Sequence, residues 1–145
     1  NSYNLDEITV LDLFAGSGNI SYEFVSRGSK KITSIENNIR CVRFMKKIKL
    51  ELKMNNLQII YSKVLSYLKK TNFRYDVVFA DPPYRYTQEK YNEILVNVFE
   101  KNILNSNGTL IIEHSKFIKF NDHKYFLTKK KYGSVNFTFL KNKKE

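Results

Sequence analysis

Apolar positions along this chain fall in two rhythms that take turns. Short, nearly unbroken apolar runs occur at Ile8–Phe14, Ile32–Ile35, Leu57–Tyr61, Tyr75–Ala80 and Thr109–Glu113. Runs of that length, rich in β-branched and aromatic residues, read as strands buried on both faces. Between them, apolar residues recur at helical spacing. A helix is expected from Asn19, which can cap it, to Arg27, with Gly28 as the left-handed residue that ends it. A longer helix is expected from Asn38 to Met54, with Val42, Met45, Ile48 and Leu52 as its apolar stripe and the Asn55-Asn56 pair ending it. A short helix follows at Val64–Lys70, with Leu65 and Leu68 inward, and another at Glu89–Lys101. Asn105 to Gly108 reads as a turn. The last part changes character: Tyr125-Phe126-Leu127 and Val135–Leu140 flank Lys129–Gly133, which predicts a β-hairpin. Strands alternating with helices and closing on a hairpin predict an α/β fold. Its sheet is mostly parallel, with antiparallel strands at one end.

Two loops at predicted strand ends carry the candidate chemistry. The first is Asp12-Leu13-Phe14-Ala15-Gly16-Ser17-Gly18. A buried strand turns sharply there into a helix, and Gly16 and Gly18 admit backbone approach that a Cβ would block. Glu36 closes the next strand, about 20 residues past the glycine turn, where an acid can grip two ribose hydroxyls. Ala15 and Asn19 break the full dinucleotide spacing, so the loop suits a nucleoside-bearing cofactor without a pyrophosphate. The second loop is Asp81-Pro82-Pro83-Tyr84, which holds the chain's two prolines. They remove two N–H donors and stiffen a turn at the edge where open α/β sheets bind ligands. An aromatic amine is a poor nucleophile because its lone pair is delocalised. Acceptors on both its N–H bonds favour a pyramidal nitrogen with a free lone pair. The Asp81 carboxylate and the Pro82 carbonyl can supply them, and Tyr84 offers a face on which a base can stack.

With 145 residues the chain is expected to form a single domain over 1–145 with a real core. Its formal charge of +11 favours a polyanionic partner. One cysteine, Cys41, excludes an internal disulfide and reads as a buried, inert thiol on a helix. No apolar run is long enough to span a membrane, and no signal peptide is read. His114 and His123 stand outside metal-ligand spacing, so no metal is expected and each reads as a partly exposed or core histidine; a rim role near the base is the alternative for His114, at the end of a strand. Lys129–Lys131 and Lys141–Lys144 read as solvated charge runs, whereas Tyr84-Arg85-Tyr86 joins aromatic and basic character beside the second loop.

On Leu11–Gly18, Ser26-Arg27-Gly28, Asp81–Tyr84 and the late Tyr132-Gly133, in that order, the chain resembles the RsmD-type methyltransferases. That family modifies the exocyclic N2 of a guanine in small-subunit ribosomal RNA. The resemblance implies a Rossmann-like methyltransferase fold with seven strands and S-adenosyl-L-methionine (SAM) as cofactor. It puts Asp12, Phe14, Ala15, Gly16, Ser17, Gly18, Glu36, Asn37, Lys63, Val64 and Asp81 at the cofactor, and Asp81, Pro82, Pro83 and Tyr84 at the target base. It further implies a cytoplasmic protein, favoured as a monomer, that acts on ribosomal RNA or the small-subunit particle. Two departures stand out. Lys63 occupies a position where the family usually has Asp or Asn beside the adenine, so Val64 packing or a backbone contact must serve. The chain also begins at Asn1, shortly before the glycine loop, where the family carries a basic N-terminal segment. Asp-Pro-Pro-Tyr chemistry also serves adenine N6 in DNA, where a larger recognition insertion is expected. A non-catalytic RNA-binding relic is the other alternative, and intact Asp12, Glu36 and Asp81 argue against it.

Overall fold

The structure is a computed structural model that describes residues 7–143. Its elements run β1 (Thr9–Leu13), α1 (Asn19–Ser26), β2 (Lys31–Glu36), α2 (Ile39–Glu51), β3 (Leu57–Tyr61), α3 (Val64–Lys70), β4 (Tyr75–Ala80), α4 (Gln88–Glu100), β5 (Leu104–His114), β6 (Phe126–Tyr132) and β7 (Val135–Lys141). One seven-stranded sheet has the order β3-β2-β1-β4-β5-β7-β6. The first five strands pair in parallel, and β7 enters antiparallel between β5 and β6. The α/β class and the hairpin ending are as the hydrophobic pattern predicts.

Strand alternation divides the core between the two faces of the sheet. Val10 and Ile32 pack with Leu57 and Val77 under Tyr22, Phe24 and Val25 of α1. Leu11 and Leu13 face the other way, into a larger cluster with Leu68 of α3 and Ile94, Leu95 and Val98 of α4. Asp12 lies on the α1 face of β1 and is buried there with Ser21 and Ser34. Gly18 belongs to the same packing. A Cβ on it would stand 2.6 Å from the Tyr22 ring and 2.9 Å from Met45, and its φ is +95°. The absence of a Cβ at Gly18 thus allows the close approach of Tyr22 and Met45.

Other boundaries differ for local reasons. Asn19 does not cap α1; Gly18 holds that position without a side-chain bond, and Asn19 is the first helical residue. Asn38 does cap α2, accepting from the N–H groups of Arg40 and Cys41. That helix stops at Glu51, before the Asn pair, because Lys53 takes a left-handed φ of 54°. Leu52 is therefore a solvent-facing cap at 62% exposure and not part of the buried stripe. Cys41 is half-buried. The predicted hairpin turn shrinks to Gly133-Ser134, with Lys129–Tyr132 inside β6.

The predicted turn at Asn105–Gly108 is absorbed into β5 as an excursion. Tyr75 pairs with Leu104 and Val77 with Thr109, so two steps on β4 (77 − 75) meet five on β5 (109 − 104). Asn142 pins the excursion: its side-chain amide donates to the Leu104 and Asn105 carbonyls, and its backbone N–H bonds Gly108. Asp76 holds the other side. Its carboxylate accepts from the Thr9 N–H at 2.9 Å, from the Thr9 hydroxyl at 3.3 Å and from the Asn105 amide at 3.0 Å. One half-buried acid thus ties β1, β4 and β5 together at the end of the sheet away from the candidate loops. Replacing Asp76 with Ala is expected to cost about 1.5–3 kcal/mol, the range for hydrogen bonds to a charged acceptor, in urea unfolding. An unchanged midpoint would show that the three strands hold register without it.

Candidate active site

The sheet order reverses between β1 and β4, which is where open α/β sheets form a crevice at the carboxyl ends of their strands. Leu13 and Ala80 are register partners, so the Phe14–Gly18 and Asp81–Tyr84 loops leave the sheet side by side. Phe14 adopts a left-handed φ of 59°, rare for a phenylalanine and of the kind that clusters at ligand sites. The turn is held by Ala15 N–H to the Ile35 carbonyl at 3.0 Å and Gly18 N–H to the Ala15 carbonyl at 2.9 Å.

Phe14 separates two small cavities. One, of ≈ 200 Å³, is lined by Ile35, Glu36, Asn37, Lys63, Val64 and Tyr86 among others. The other, of ≈ 240 Å³, is lined by Asp12, Ala15, Gly16, Ser17, Phe79 and Asp81 among others. Glu36 is pre-set by its own backbone neighbours: Oε1 accepts from Gly16 N–H at 2.7 Å and Oε2 from Asn38 N–H at 3.0 Å. Each oxygen keeps a further lone pair. Gly16 has a φ of +60°, and a Cβ there would meet nothing within 4 Å, so the space above it is open. Lys63 is the exposed N-cap residue just before α3, and it contributes no acceptor side chain to the cavity it lines. Gly18 lines neither cavity.

Asp12 is 1% exposed. Its carboxylate accepts from the Ser21 hydroxyl at 2.6 Å, and that hydroxyl shares a 2.6 Å contact with Ser34. Burial pushes its pKa from 3.8 up to about 7, against the opposing pull of Ser21 and with some help from Asp81 and Glu36.

On the far side of Asp81 lies a larger cavity of ≈ 510 Å³, lined by Pro82, Pro83, Tyr84, Tyr86, Glu113 and His114 among others. Asp81 therefore lines this cavity and the Gly16 cavity together. Desolvation raises its carboxyl above the usual range. The Pro83 carbonyl is taken by Tyr86 N–H at 2.9 Å. Tyr84 is 100% exposed, with its ring clear of the protein.

Glu113 and Ser134 line the Pro-Pro cavity without being expected at the site, and Tyr86, expected only beside the second loop, reaches further. Tyr86 borders both the Phe14 and the Pro-Pro cavities and meets Phe14 and Tyr91 edge-on, at 5.5 and 5.9 Å between ring centroids. Glu113 is half-buried, its carboxylate makes no hydrogen bond or ion pair among the described residues, and burial together with Asp81 raises its carboxyl. It closes an apolar strand as Glu36 does, and that was the available signal. The β6–β7 turn brings in Ser134 beside Val135, which only the antiparallel pairing could place there. His114 is a buried histidine, and it also lines the Pro-Pro cavity. Its Nδ1 lies 2.7 Å from the Ser115 carbonyl and its Nε2 2.6 Å from the Thr138 hydroxyl, and burial lowers its pKa. His123 packs on Phe99 and Tyr125, away from this edge. Lys144 lies outside the described residues.

A seven-stranded sheet of this order, with its glycine turn after β1 and an acid-Pro-Pro turn after β4, defines a Rossmann-like methyltransferase fold. The family described as "Conserved hypothetical protein 95" matches residues 1–141. The chain belongs to that family, the RsmD-type one. The ribosomal RNA small subunit methyltransferase D of Buchnera aphidicola subsp. Acyrthosiphon pisum is 35% identical over 137 residues, covering 92% of this chain and 63% of that protein. The protein of the same name from Buchnera aphidicola subsp. Baizongia pistaciae is 36% identical over 103 residues, covering 71% of this chain and 52% of its own. The chain thus spans between half and two thirds of these curated relatives. The crystal structure of a putative methylase from Haemophilus influenzae aligns with a TM-score of 0.85 at 28% identity, over 96% of this chain and 89% of that one.

The burial of Asp12 has a consequence for stability. Between pH 3.8 and about 7 the unfolded chain gives up a proton that the folded chain retains, so stability falls as pH rises through that window. The slope from this group is at most about 1.4 kcal/mol per pH unit. Asp12→Asn is expected to flatten that slope in urea titrations across the window. Identical slopes in both proteins would show Asp12 to be ionised in the folded state.

Proposed function

We propose that this chain provides the cofactor and target-base sites of a SAM-dependent methyltransferase acting on the exocyclic N2 of a guanine in small-subunit ribosomal RNA. The observation that carries the reading is the position of Asp81, which lines the Gly16 cavity and the Pro-Pro cavity together. A group donated from the first can meet a group accepted in the second only at such a junction.

The residues fit SAM. The open face above Gly16 leaves room for the methionine part, and Glu36, oriented by two backbone N–H groups, keeps lone pairs for the ribose hydroxyls. Phe14, Ile35 and Val64 give the other cavity apolar walls for the adenine, with Asn37 and Lys63 at its edge. When bound, SAM supplies a methyl group already activated on a positively charged sulfur. Asp81 and the Pro82 carbonyl accept from the two N–H bonds of the target amine. They hold it in line and localise its lone pair, and positioning then supplies most of the rate. Pro83 stiffens the turn, and Tyr84 stacks on the base. Asp12, Ala15 and Ser17 shape the methionine side.

Glu113 supports guanine over adenine. Guanine presents two adjacent donors, N1–H and the N2 amine, whereas adenine sets an acceptor beside its amine. A cavity edged by the carboxylates of Asp81 and Glu113 complements the first and repels the second. Relatives named as small-subunit ribosomal RNA methyltransferases support the RNA, and the +11 charge suits it. A ribosomal-particle substrate supports a cytoplasmic location.

Single-turnover methylation with radiolabelled SAM on hypomethylated small-subunit particles tests the reading, with N2-methylguanosine as the expected product. Asp81→Ala is expected to abolish transfer while most SAM affinity holds. A wild-type rate in that variant would remove the loop from catalysis. Glu113→Gln, which turns one acceptor into a donor, is expected to raise KM for the particle about tenfold, equivalent to about 1.4 kcal/mol. An unchanged KM would leave guanine selectivity without this residue. In calorimetry, Glu36→Ala is expected to weaken SAM binding by about 1–3 kcal/mol. Equal affinities would move the ribose elsewhere.

A further inference from the structure

The Pro-Pro cavity continues outward. A second cavity, of ≈ 730 Å³, shares Tyr84, Tyr86, Ser115, Ile118 and Ser134 with it. Beyond that shared wall the outer cavity is lined by Arg85, Lys116, Phe117 and Lys131, with no acid among its lining residues. Phe117 is 78% exposed, and the Lys116 ammonium lies 5.3 Å from its ring centroid. A large apolar ring held in water costs free energy that the fold does not recover from packing. An open aromatic face beside several cations and no acid is the arrangement that binds single-stranded nucleic acid.

The platform is held in place before any ligand arrives. The Gln88 side chain of α4 clamps the Lys119 backbone from both sides, donating to its carbonyl at 2.9 Å and accepting from its N–H at 2.8 Å. Ser115 accepts from Phe117 N–H at 3.3 Å through its hydroxyl and from Ile118 N–H at 3.3 Å through its carbonyl.

We propose that this outer cavity is a second nucleotide subsite. It holds the RNA nucleotide next to the target on the same strand, with its base stacked on Phe117 and its phosphates on Arg85, Lys116 and Lys131. The inference rests on the RNA-methyltransferase reading above. A target base drawn into the inner cavity leaves its stack, and its neighbour loses a stacking partner. Phe117 stands where that partner is replaced.

Two measurements on the full-length gene product test this. In the first, short single-stranded RNA carrying 5-iodouridine on either side of a guanine is irradiated with the protein, and the crosslinked peptide is identified by mass spectrometry. Attachment at Phe117 is expected. In the second, Phe117→Ala is expected to raise KM for hypomethylated small-subunit particles about tenfold, within the range for loss of one stacked base, with SAM affinity as in the wild type. Phe117→Tyr is expected to restore most of that loss. No crosslink at Phe117 together with an unchanged KM overturns the subsite. If Asp81→Ala still abolishes transfer, the catalytic reading survives that result. A lowered melting temperature in Phe117→Ala with unchanged KM also overturns it, since Phe117 would then be covered by protein. If the wild type methylates no RNA, the catalytic reading fails, and the crosslink alone still decides the subsite.

Discussion

The pairing of β1 with β4 is the constraint on which everything else depends. These strands are far apart in sequence, and parallel register between Leu13 and Ala80 brings the ends of both to the same edge. A slip of one residue would turn Asp12 and Phe79 to opposite faces and separate the two loops. The register is secured from the other end by Asp76, which ties Thr9 to Asn105 across β4, and along its length by Leu11, Val78 and Leu110, all fully buried. Precision at the candidate site is thus produced by interactions at the opposite end of the strands.

That edge concentrates negative charge in a strongly basic chain. Asp12, Glu36, Asp81 and Glu113 all lie there, and Asp81 repels both Asp12 and Glu113. Each acid is handled differently. Asp12 is buried with serine hydroxyls, Glu36 is held by two backbone N–H groups, and Asp81 and Glu113 are left to face a cavity. Groups whose hydrogen-bonding capacity is left open at a ligand cavity are expected where a ligand completes the set. Arg85, Lys116 and Lys131 sit further out on the outer cavity, and Lys129 and Lys130 on β6, where they can meet phosphates without neutralising the acids inside.

Particular elements show how far local reading reaches. β3, α3 and β4 have the bounds that their hydrophobic runs predict, because each is short, strongly patterned and closed by a polar or proline-bearing turn. Asn105–Gly108 shows the limit. Its composition is that of a turn, yet Asn142 and Asp76 draw it into β5 as an excursion, and both partners are remote in sequence. Gly18 shows another limit. Its place in the glycine loop suggests a ligand, and only the packing of Tyr22 and Met45 against it reveals a structural requirement.

The sequence by itself determined the alternation of strands and helices, the two loops at strand ends and the acids Glu36 and Asp81 that close them. These are local properties, carried by hydrophobic period and turn chemistry within a few residues. Tertiary structure alone decided that Asp81 borders two cavities, that Tyr86 stands between the Phe14 and Pro-Pro cavities, and that Ser134 lines both the cavity of Glu113 and that of Phe117. Those placements follow from parallel and antiparallel pairings between distant strands. Which residues meet at such an edge is set by register and burial across the whole sheet, and no window of the chain contains that information.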